Sequence, residues 1–213
     1  MKHISRSLYP DEIRLLNKLK TKLLKKKAPG FQLYQFIPVL LTGMIFIYMI
    51  NLIRVPIVTV VFGTIAIGCF LFVVMTPYES YRKKQQAKKR LSQVNHFLLT
   101  NEVEVTVIHA RRIALACEYE DEGDLLLVEY EADAVLYLWD HDYRLKKRFP
   151  CLHFEIYKDD FASLTGRPVN ALSERIVPAV IDAGAKWNYL KKHGGPVHMT
   201  TEQINFEELL ERF

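Results

Sequence analysis

Two long apolar stretches dominate the pattern of hydrophobic and polar positions along this chain. No charged residue occurs from Ala28 to Ile53 or from Val55 to Tyr78, and only Arg54 separates the two stretches. A helix needs about 20 apolar residues to cross about 30 Å of hydrocarbon, so a single crossing cannot use this much chain. The pattern therefore predicts two membrane helices, Phe36–Leu52 and Ile57–Thr76.

The connection between these helices is too short to carry a domain. Pro56 suits the first turn of the second helix, because the N–H that proline lacks would be unpaired there. Two pairs of small residues, Thr59 with Gly63 and Thr64 with Gly68, permit close helix packing. We expect the first membrane helix to be the partner of these pairs, with a second copy of the chain as the alternative.

Basic residues flank the apolar stretches and predict their orientation. Seven Lys or Arg lie between Arg14 and Lys27, six lie between Arg82 and Arg90, and one lies in the connection. The positive-inside rule then places both termini in the cytoplasm, and we expect a multi-pass protein of the inner (cytoplasmic) membrane. The predicted membrane-flanking residues are Lys25, Lys26, Lys27, Arg54, Arg82, Lys83, Lys84, Lys88, Lys89 and Arg90.

The segments on either side of the apolar stretches are predicted to be helical. Leucines recur among the lysines of residues 1–30, and Pro10 followed by two acids suits a helix start. This basic amphipathic helix lies either on the membrane surface or against protein, which is its own soluble domain or a second copy. Residues 79–100 are predicted to form a basic connecting helix.

Beyond Asn101 the period of the hydrophobic residues changes from about 3.6 to 2, which is typical of strands. Alternation begins in Val103–Val107, and a last helix is predicted to start after Asn205, with a capping-box spacing to Glu208. Further strands are predicted at Arg112–Tyr119, Leu125–Glu131, Ala134–Asp140 and His153–Tyr157, near Val169, within Ile176–Ile181 at an edge, and at Val197–Met199.

These elements predict the fold class of a membrane protein, with an α-helical transmembrane hairpin and a C-terminal α+β, β-rich soluble domain. The predicted domains are a basic N-terminal helix at 1–30, the hairpin at 31–78, the connecting helix at 79–100 and the cytoplasmic domain at 101–213.

The net charge of +5 hides an asymmetry between the two halves of the chain. Residues 1–93 carry +13 and residues 94–213 carry −8. Because the basic half brackets the membrane, its predicted partner is a bilayer with anionic headgroups, and we expect no nucleic acid. A cytoplasmic protein, or the chain itself as a homo-oligomer, is a further possible partner.

The candidate chemistry is sparse. His141, Asp142, Cys151 and His153 lie close in sequence, but their spacing matches no known metal-ligand pattern. The acidic run at 118–124 lacks the order of a calcium loop and is predicted to be a solvated hairpin end. It is alternatively a contact for the basic N-terminal helix.

Two further segments are best explained as ordinary structural features. Residues 146–148, beside Tyr143 and Phe149, could contact phosphates or lipid headgroups, but a solvated charge run is the preferred interpretation. "NYLKKHGGPVHM" predicts a helix stop and a turn, because it lacks the end of a phosphate loop. We therefore predict no catalytic residue, no metal and no cofactor, and three reduced cysteines.

Three stretches, "EYEDEGD", "VEYEADAVLYLWD" and "RFPCLHFEIY", resemble a group of uncharacterised bacterial two-pass membrane proteins with a cytoplasmic β-rich domain. The resemblance covers about residues 103–160. The chain departs from that pattern at Asp124-Leu125, where a proline and an aromatic residue are usual, and at residues 140–142, where a Gly-Gln pair is usual. The resemblance implies a membrane-tethered β-rich domain and no activity.

These observations favour a non-enzymatic membrane protein that displays a cytoplasmic β-rich interaction domain. A first alternative is a membrane-tethered sensor whose domain holds a small molecule among Tyr130, Tyr137, Trp139 and Phe154. A second alternative is a membrane-bound enzyme that uses the region from His141 to His153.

Overall fold

The computed structural model describes residues 1–25, 36–52, 56–141, 143, 145 and 149–213. The fold is mixed α/β, with two sheets and one long apolar helix. The chain divides into two compact units. Residues 1–12 and 100–213 form one, here called the sheet unit, and residues 13–99 form the other, here called the helical unit.

Three helices account for the described part of the helical unit. They are α1 (Pro10–Lys25), whose first turn belongs to the sheet unit, α2 (Phe36–Leu52) and α3 (Pro56–Thr100). The predicted bounds of the first apolar helix are those of α2. The second predicted helix and the predicted connecting helix are one continuous element, because α3 runs through Pro77 without a break. Counted from Thr59, α3 is long and apolar enough to cross a membrane, and α2 is a shorter apolar helix.

Helices α2 and α3 pack side by side in antiparallel fashion. The rings of Phe36 and Phe72 lie 6.1 Å apart, and those of Phe46 and Phe62 lie 5.0 Å apart. The partner's number falls as the residue number on α2 rises, so the two helices form a hairpin around residues 53–55.

Small residues allow this close approach, although not all of the predicted ones take part. A Cβ on Gly43 would lie 3.3 Å from that of Cys69, which is tighter than ordinary contact. Gly63 faces Ile50, as the prediction of packing against the first helix requires, whereas Gly68 has no atom within 4 Å of a built Cβ. Gly43 was missing from the predicted pairs.

The sheet unit contains a four-stranded and a five-stranded sheet. The first is fully antiparallel, in the order β1-β2-β6-β7. The second has the order β8-β3-β4-β5-β9, and only its edge strand β8 is parallel to its neighbour. The strands are β1 (Lys2–Ser7), β2 (Glu102–His109), β3 (Arg112–Ala116), β4 (Asp124–Glu131), β5 (Ala134–Asp140), β6 (His153–Tyr157), β7 (Val169–Ala171), β8 (Ala179–Ile181) and β9 (Thr201–Gln203).

The five-stranded sheet is covered on both faces. One face packs against the four-stranded sheet, where Leu126 and Leu138 share a core with Phe154. The other face packs against helices α5 (Ala183–His193) and α6 (Phe206–Arg212), and its core includes Tyr137. Burial on both faces explains why β4 and β5 are apolar along most of their length instead of alternating. A short helix, α4 (Asp159–Thr165), follows β6.

The N-terminal strand is the largest departure from the predicted organisation. Residues 1–30 were predicted to be helical, yet β1 pairs with β2 from Lys2 opposite Val107 to Ser7 opposite Glu102. The predicted domain 101–213 therefore lacks one strand of its sheet. The sequence of β1, KHISRS, is too polar to show a clear alternation of hydrophobic residues.

Predictions near the C-terminus have mixed outcomes. The strand within Ile176–Ile181 is confirmed as the edge strand β8. The strand predicted at Val197–Met199 is wrong, since the last strand is β9. Asn205 caps α6 as predicted, but its side chain accepts from the backbone N–H of Glu207, at 3.0 Å, and not from Glu208.

Candidate functional site

Arg6 of β1 makes a fully used set of hydrogen bonds inside the sheet unit. Its Nε and Nη2 donate to the two carboxylate oxygens of Glu155 at 2.9 and 2.6 Å. Its Nη1 and Nη2 donate to those of Glu12 at 3.0 and 2.7 Å, and Nη1 also donates to the Ser7 carbonyl at 2.9 Å. These five bonds match the five N–H groups of a guanidinium, and the group lies 3.7 Å from the ring centroid of Tyr9.

The two carboxylates of this cluster are almost completely buried. Glu12 is 1% exposed and Glu155 is 2% exposed. Glu12 also accepts from the Tyr157 hydroxyl, and Glu155 from the Asn170 amide at 3.1 Å. Burial, and then the hydrogen bond to Glu12, raise the pKa of Tyr157, so this hydroxyl stays a donor. Charges buried at this depth are tolerated only with such partners.

The cluster joins chain segments from both sides of the α2–α3 hairpin. Arg6 and Glu12 precede the hairpin, whereas Glu155, Tyr157 and Asn170 follow it. The strand β1, which carries Arg6, also pairs with β2, and β2 in turn pairs with β6, which carries Glu155. The geometry therefore holds the N-terminal strand to the C-terminal part of the sheet unit by both backbone and charge.

A second buried charge organises the acidic hairpin end. Lys186 of α5 is 0% exposed. Its Nζ donates to the Gly123 carbonyl at 2.6 Å, lies 3.4 Å from a carboxylate oxygen of Glu122, and sits 5.0 Å from the ring centroid of Trp139. The turn supplies the backbone carbonyl and β5 supplies the ring. We call Lys186, Glu122, Gly123, Trp139 and His141 the Lys186 node.

Gly123 is required at this node for two reasons. Its φ is +85°, a conformation that side chains of L-residues disfavour, and a Cβ would lie 2.9 Å from the Cα of His141. Gly123 thus lies in the connection between the antiparallel strands β3 and β4, where a hairpin end was predicted. His141 contributes its Nδ1 at 2.7 Å from the Glu122 carbonyl and stacks on Trp139, with ring centroids 5.2 Å apart.

A cavity of about 340 Å³ opens beside the node. It is lined by Trp139, His141, His198, Met199 and Ser163, together with apolar side chains of β5 and β7. The Nδ1 of His198 accepts from the Trp139 backbone N–H at 3.0 Å, which leaves the hydrogen of the neutral imidazole on Nε2. Burial, and then His141, lower the pKa of His198, so it is neutral at pH 7.

A larger and more open cavity, of about 590 Å³, lies against β1 and β2. Its polar lining includes His3, whose Nδ1 lies 2.8 Å from the Thr106 hydroxyl, and an ion pair of Lys158 with Glu104 at 2.6 Å. Met199 borders both cavities. Small-molecule sites combine apolar walls with a few fixed polar groups, and the smaller cavity has that character.

The candidate metal ligands from His141 to His153, which the sequence did not favour as a metal site, are not brought together among the residues that the structure describes. Cys151 is buried in the core between the sheets, and burial raises the pKa of its thiol. His153 stacks on His109, with centroids 4.0 Å apart, whereas His141 belongs to the Lys186 node. Asp142 lies outside the described residues. A search of the described residues finds no group of three ligating side chains.

The ligand pocket predicted among four aromatic residues is wrong in its composition. Phe154 and Tyr130 belong to the core between the sheets, and Tyr137 is buried in the core beneath α5 and α6. Only Trp139 lines one of the two cavities described above. Tyr137 points to the face of the five-stranded sheet that packs against α5 and α6, whereas Phe154 of β6 packs against the opposite face, so the two side chains cannot share a cavity.

Those predicted membrane-flanking residues that the structure describes lie on α1 and α3. Lys25 ends α1, and the six basic residues of Arg82–Arg90 lie exposed on α3. Within the described chain, Lys83 forms an ion pair with Glu79 at 3.1 Å. Lys26, Lys27 and Arg54 lie outside the described residues, as do residues 146–148. Of the neighbours of that run, Phe149 is buried and Tyr143 contacts Glu118.

The residues that carry the two buried charge clusters were not predicted from the sequence. A signal existed for two of them. Glu155 stands within the apolar strand "HFEIY", and Lys186 stands on the sheet-facing side of α5, where the pattern calls for apolar side chains. Arg6 and Glu12 offered no such signal, because they sit among other polar residues.

Comparison with protein-family models, with curated proteins and with solved structures finds no match for this chain. The resemblance of residues 103–160 therefore stays a prediction.

Proposed function

We propose that this chain is an integral membrane protein, anchored by two crossings through α2 and α3, that holds the sheet unit at the cytoplasmic surface as an interaction domain. One structural observation carries the proposal. The strand β1, which precedes the hairpin, pairs with β2, which follows it.

The pairing of β1 with β2 supports an even number of crossings. The two strands are joined in one sheet, and Arg6 ties β1 to Glu155 of β6, a further strand of that sheet after the hairpin. Both ends of the α2–α3 hairpin must then lie on the same side of any membrane. If α3, which is long and apolar enough, crosses the membrane, then α2 crosses back. A single crossing would place β1 and β2 on opposite sides.

The apolar surface of the hairpin supports a lipid environment. In a water-soluble protein large apolar patches are buried, because each Å² of exposed apolar surface costs about 25 cal/mol. Large apolar side chains that stay more than half exposed here include Ile37, Leu41, Met44, Ile45, Tyr48, Leu52, Ile57, Val60, Ile67, Leu71, Val74 and Met75.

The helix lengths are compatible with this placement. The 17 residues of α2 span about 26 Å, and uncharged sequence extends from it on both sides. In α3 the 20 residues after Pro56 span about 30 Å, and Tyr78 and Tyr81 follow at the level of the interface. The basic residues on both flanks favour a cytoplasmic location for the two termini, and the inner membrane follows from the resemblance to bacterial proteins.

Topology reporters test this proposal directly. Fusions after Lys27, at Arg54 and after Phe213 of the full chain are expected to report cytoplasm, outside and cytoplasm. A variant without residues 2–7 serves as a control, because the spans alone should then still give the same pattern. Reports of opposite sides for the first and last fusion would contradict the two-crossing topology.

The cavity beside the Lys186 node favours a second candidate, a sensor of a small molecule. Its apolar walls, one indole and two histidines are the features of a ligand site. We expect mass spectrometry of the full-length protein, purified in mild detergent, to detect a retained small molecule. Ser163→Trp, which fills the cavity, should abolish retention, whereas Ser80→Trp on α3 should not. Equal retention by both variants would argue against this site.

A further inference from the structure

Three of the basic residues on α3 stand beyond the headgroup layer of the bilayer. On the proposed topology the hydrocarbon ends no later than Glu79, the first charge after the second span. Helix geometry places Lys88 about 14 Å and Arg90 about 17 Å beyond that residue. The headgroup layer is about 5–8 Å thick and its potential decays over about 8 Å, so these positions feel roughly a quarter to a half of the surface potential of the lipids.

These residues, Lys88, Lys89 and Arg90, are here called the far basic triplet. All three are exposed, and within the described chain none of them forms an ion pair. Successive helical positions differ by about 100°, so the three side chains point to different sides of α3. No acidic residue follows Glu79 on this helix to balance them. The triplet therefore forms a positive belt around this part of α3 that the helix itself does not neutralise.

The sheet unit offers the complementary surface. Of the acidic run between β3 and β4, Asp124 is buried, Glu122 pairs with Lys186, and Glu118 contacts Tyr143. Glu120 and Asp121 remain exposed at the tip, and in the described part of the chain neither forms an ion pair. These two residues are here called the acidic tip. Lys186 contacts Glu122 and Gly123, the two residues that directly follow the tip.

We propose that the far basic triplet of one copy binds the acidic tip of a second copy. This inference rests on the proposed topology, which puts both surfaces on the same side of one membrane. Confinement to a common plane raises the effective concentration of each surface for the other. Because the two surfaces differ, the contact is heterologous, and each copy offers one free triplet and one free tip.

A charge-swap experiment on the full chain tests the contact. Two differently tagged copies are co-expressed, extracted in mild detergent at low salt, and captured through one tag. We expect wild-type copies to be captured together and to separate at high salt. The triple variant K88E/K89E/R90E alone, and the double variant E120K/D121K alone, should each lower capture at least about tenfold. A mixture of the two variants should restore it, because each then meets opposite charges.

The outcomes separate this inference from the topology that it rests on. K191E/K192E, a matched reversal on α5, should leave capture unchanged. Monomeric wild-type protein, equal capture of the swapped variants alone, or capture that depends only on added anionic lipid would each overturn the contact. A C-terminal reporter on the same samples reads the topology independently: a cytoplasmic signal without capture refutes self-association alone, and an outside signal refutes the proposed function.

Discussion

The helical unit and the sheet unit treat the same residue types in opposite ways. The chain is 50% hydrophobic with a mean hydropathy of +0.01, values that describe neither unit. Along α2 and α3 most large apolar side chains lie on the surface, and the charged residues gather in the C-terminal half of α3. In the sheet unit most large apolar side chains lie in two cores, and buried charges are held by specific partners.

On the proposed topology, the difference matches each unit to its own solvent. A helical hairpin satisfies its backbone internally and needs no charged partners, so it suits a medium without water. The sheet unit brings carboxylates and cations from distant segments together, which succeeds only where every buried charge is matched. The gain or loss of a charge should therefore be costly at some positions of each unit and nearly neutral at matched positions elsewhere.

The largest effect is expected from removing the cation of the N-terminal cluster. Arg6→Met leaves Glu12 and Glu155 buried without their shared partner, and we expect a loss of about 3–5 kcal/mol in the free energy of unfolding. Denaturant unfolding of the full chain, followed through the tryptophans of the sheet unit, measures it. Arg167→Met removes an exposed pair with Asp11 and should cost less than about 1 kcal/mol. Equal losses in both variants would contradict the role given to Arg6.

A charge placed on the apolar surface tests the other side of the comparison. Ile67 is 63% exposed and lies at the middle of the proposed second crossing. Ile67→Lys should disfavour insertion by about 2.5–3.5 kcal/mol, measured as the inserted fraction in membranes. Val177→Lys, at a side chain of the sheet unit that is 94% exposed, should change stability by less than about 0.5 kcal/mol. If Ile67→Lys inserts normally, α3 is not in contact with lipid there.

Removing the buried ammonium at the acidic hairpin end should have a smaller effect. Lys186→Met keeps the length of the side chain but leaves the Gly123 carbonyl and Glu122 without their donor. We expect a loss of about 1–3 kcal/mol, and faster hydrogen exchange at residues 118–124. The exposed Lys191, which lies over Trp187, is the matched control for a Lys→Met change. Unchanged exchange in the Lys186 variant would show that the turn holds itself.

The smallest effect concerns pH. Because burial, and then His141, lower the pKa of His198 below 6.5, the unfolded chain binds a proton at a higher pH than the folded chain does. This contribution to stability is complete above pH 6.5 and is lost as the pH falls below it. His198→Gln should reduce the difference between unfolding midpoints measured at pH 7.5 and pH 5.5. A difference as large as in the wild type would assign the effect to other groups.

The local elements were predictable where one physical signal dominates. An uninterrupted apolar run gave the bounds of α2, and the strands β4 and β5 stand out as β-rich stretches between turns. The strand β1 was not predictable, because its residues are mostly polar and its partner lies about 100 residues away. Because backbone hydrogen bonds and one arginine hold this edge strand, its sequence needs no hydrophobic period.

The candidate sites were less predictable than the fold. His141 and the run at 118–124 attracted attention as ligands or as a solvated turn, but their roles depend on Lys186, about 60 residues later. Alternation along β5 predicts which of its side chains share a face of the sheet. It does not predict which face packs against Phe154, so the sequence could not show that Tyr137 lies in a different core. Sequence spacing reports neighbours within an element, whereas these sites are assembled between elements.

The pairing of β1 with β2 also fixes an order of events during biosynthesis. The ribosome completes Lys2 about 105 residues before Val107, which corresponds to about 5–20 s at ordinary rates of translation. Throughout this interval the first strand lacks its partner strand. Its sequence, with a lysine, an arginine, a histidine and two serines among six residues, resists pairing with other chains. The polar character that hides this strand from pattern analysis thus protects the nascent chain until the second half of its sheet emerges.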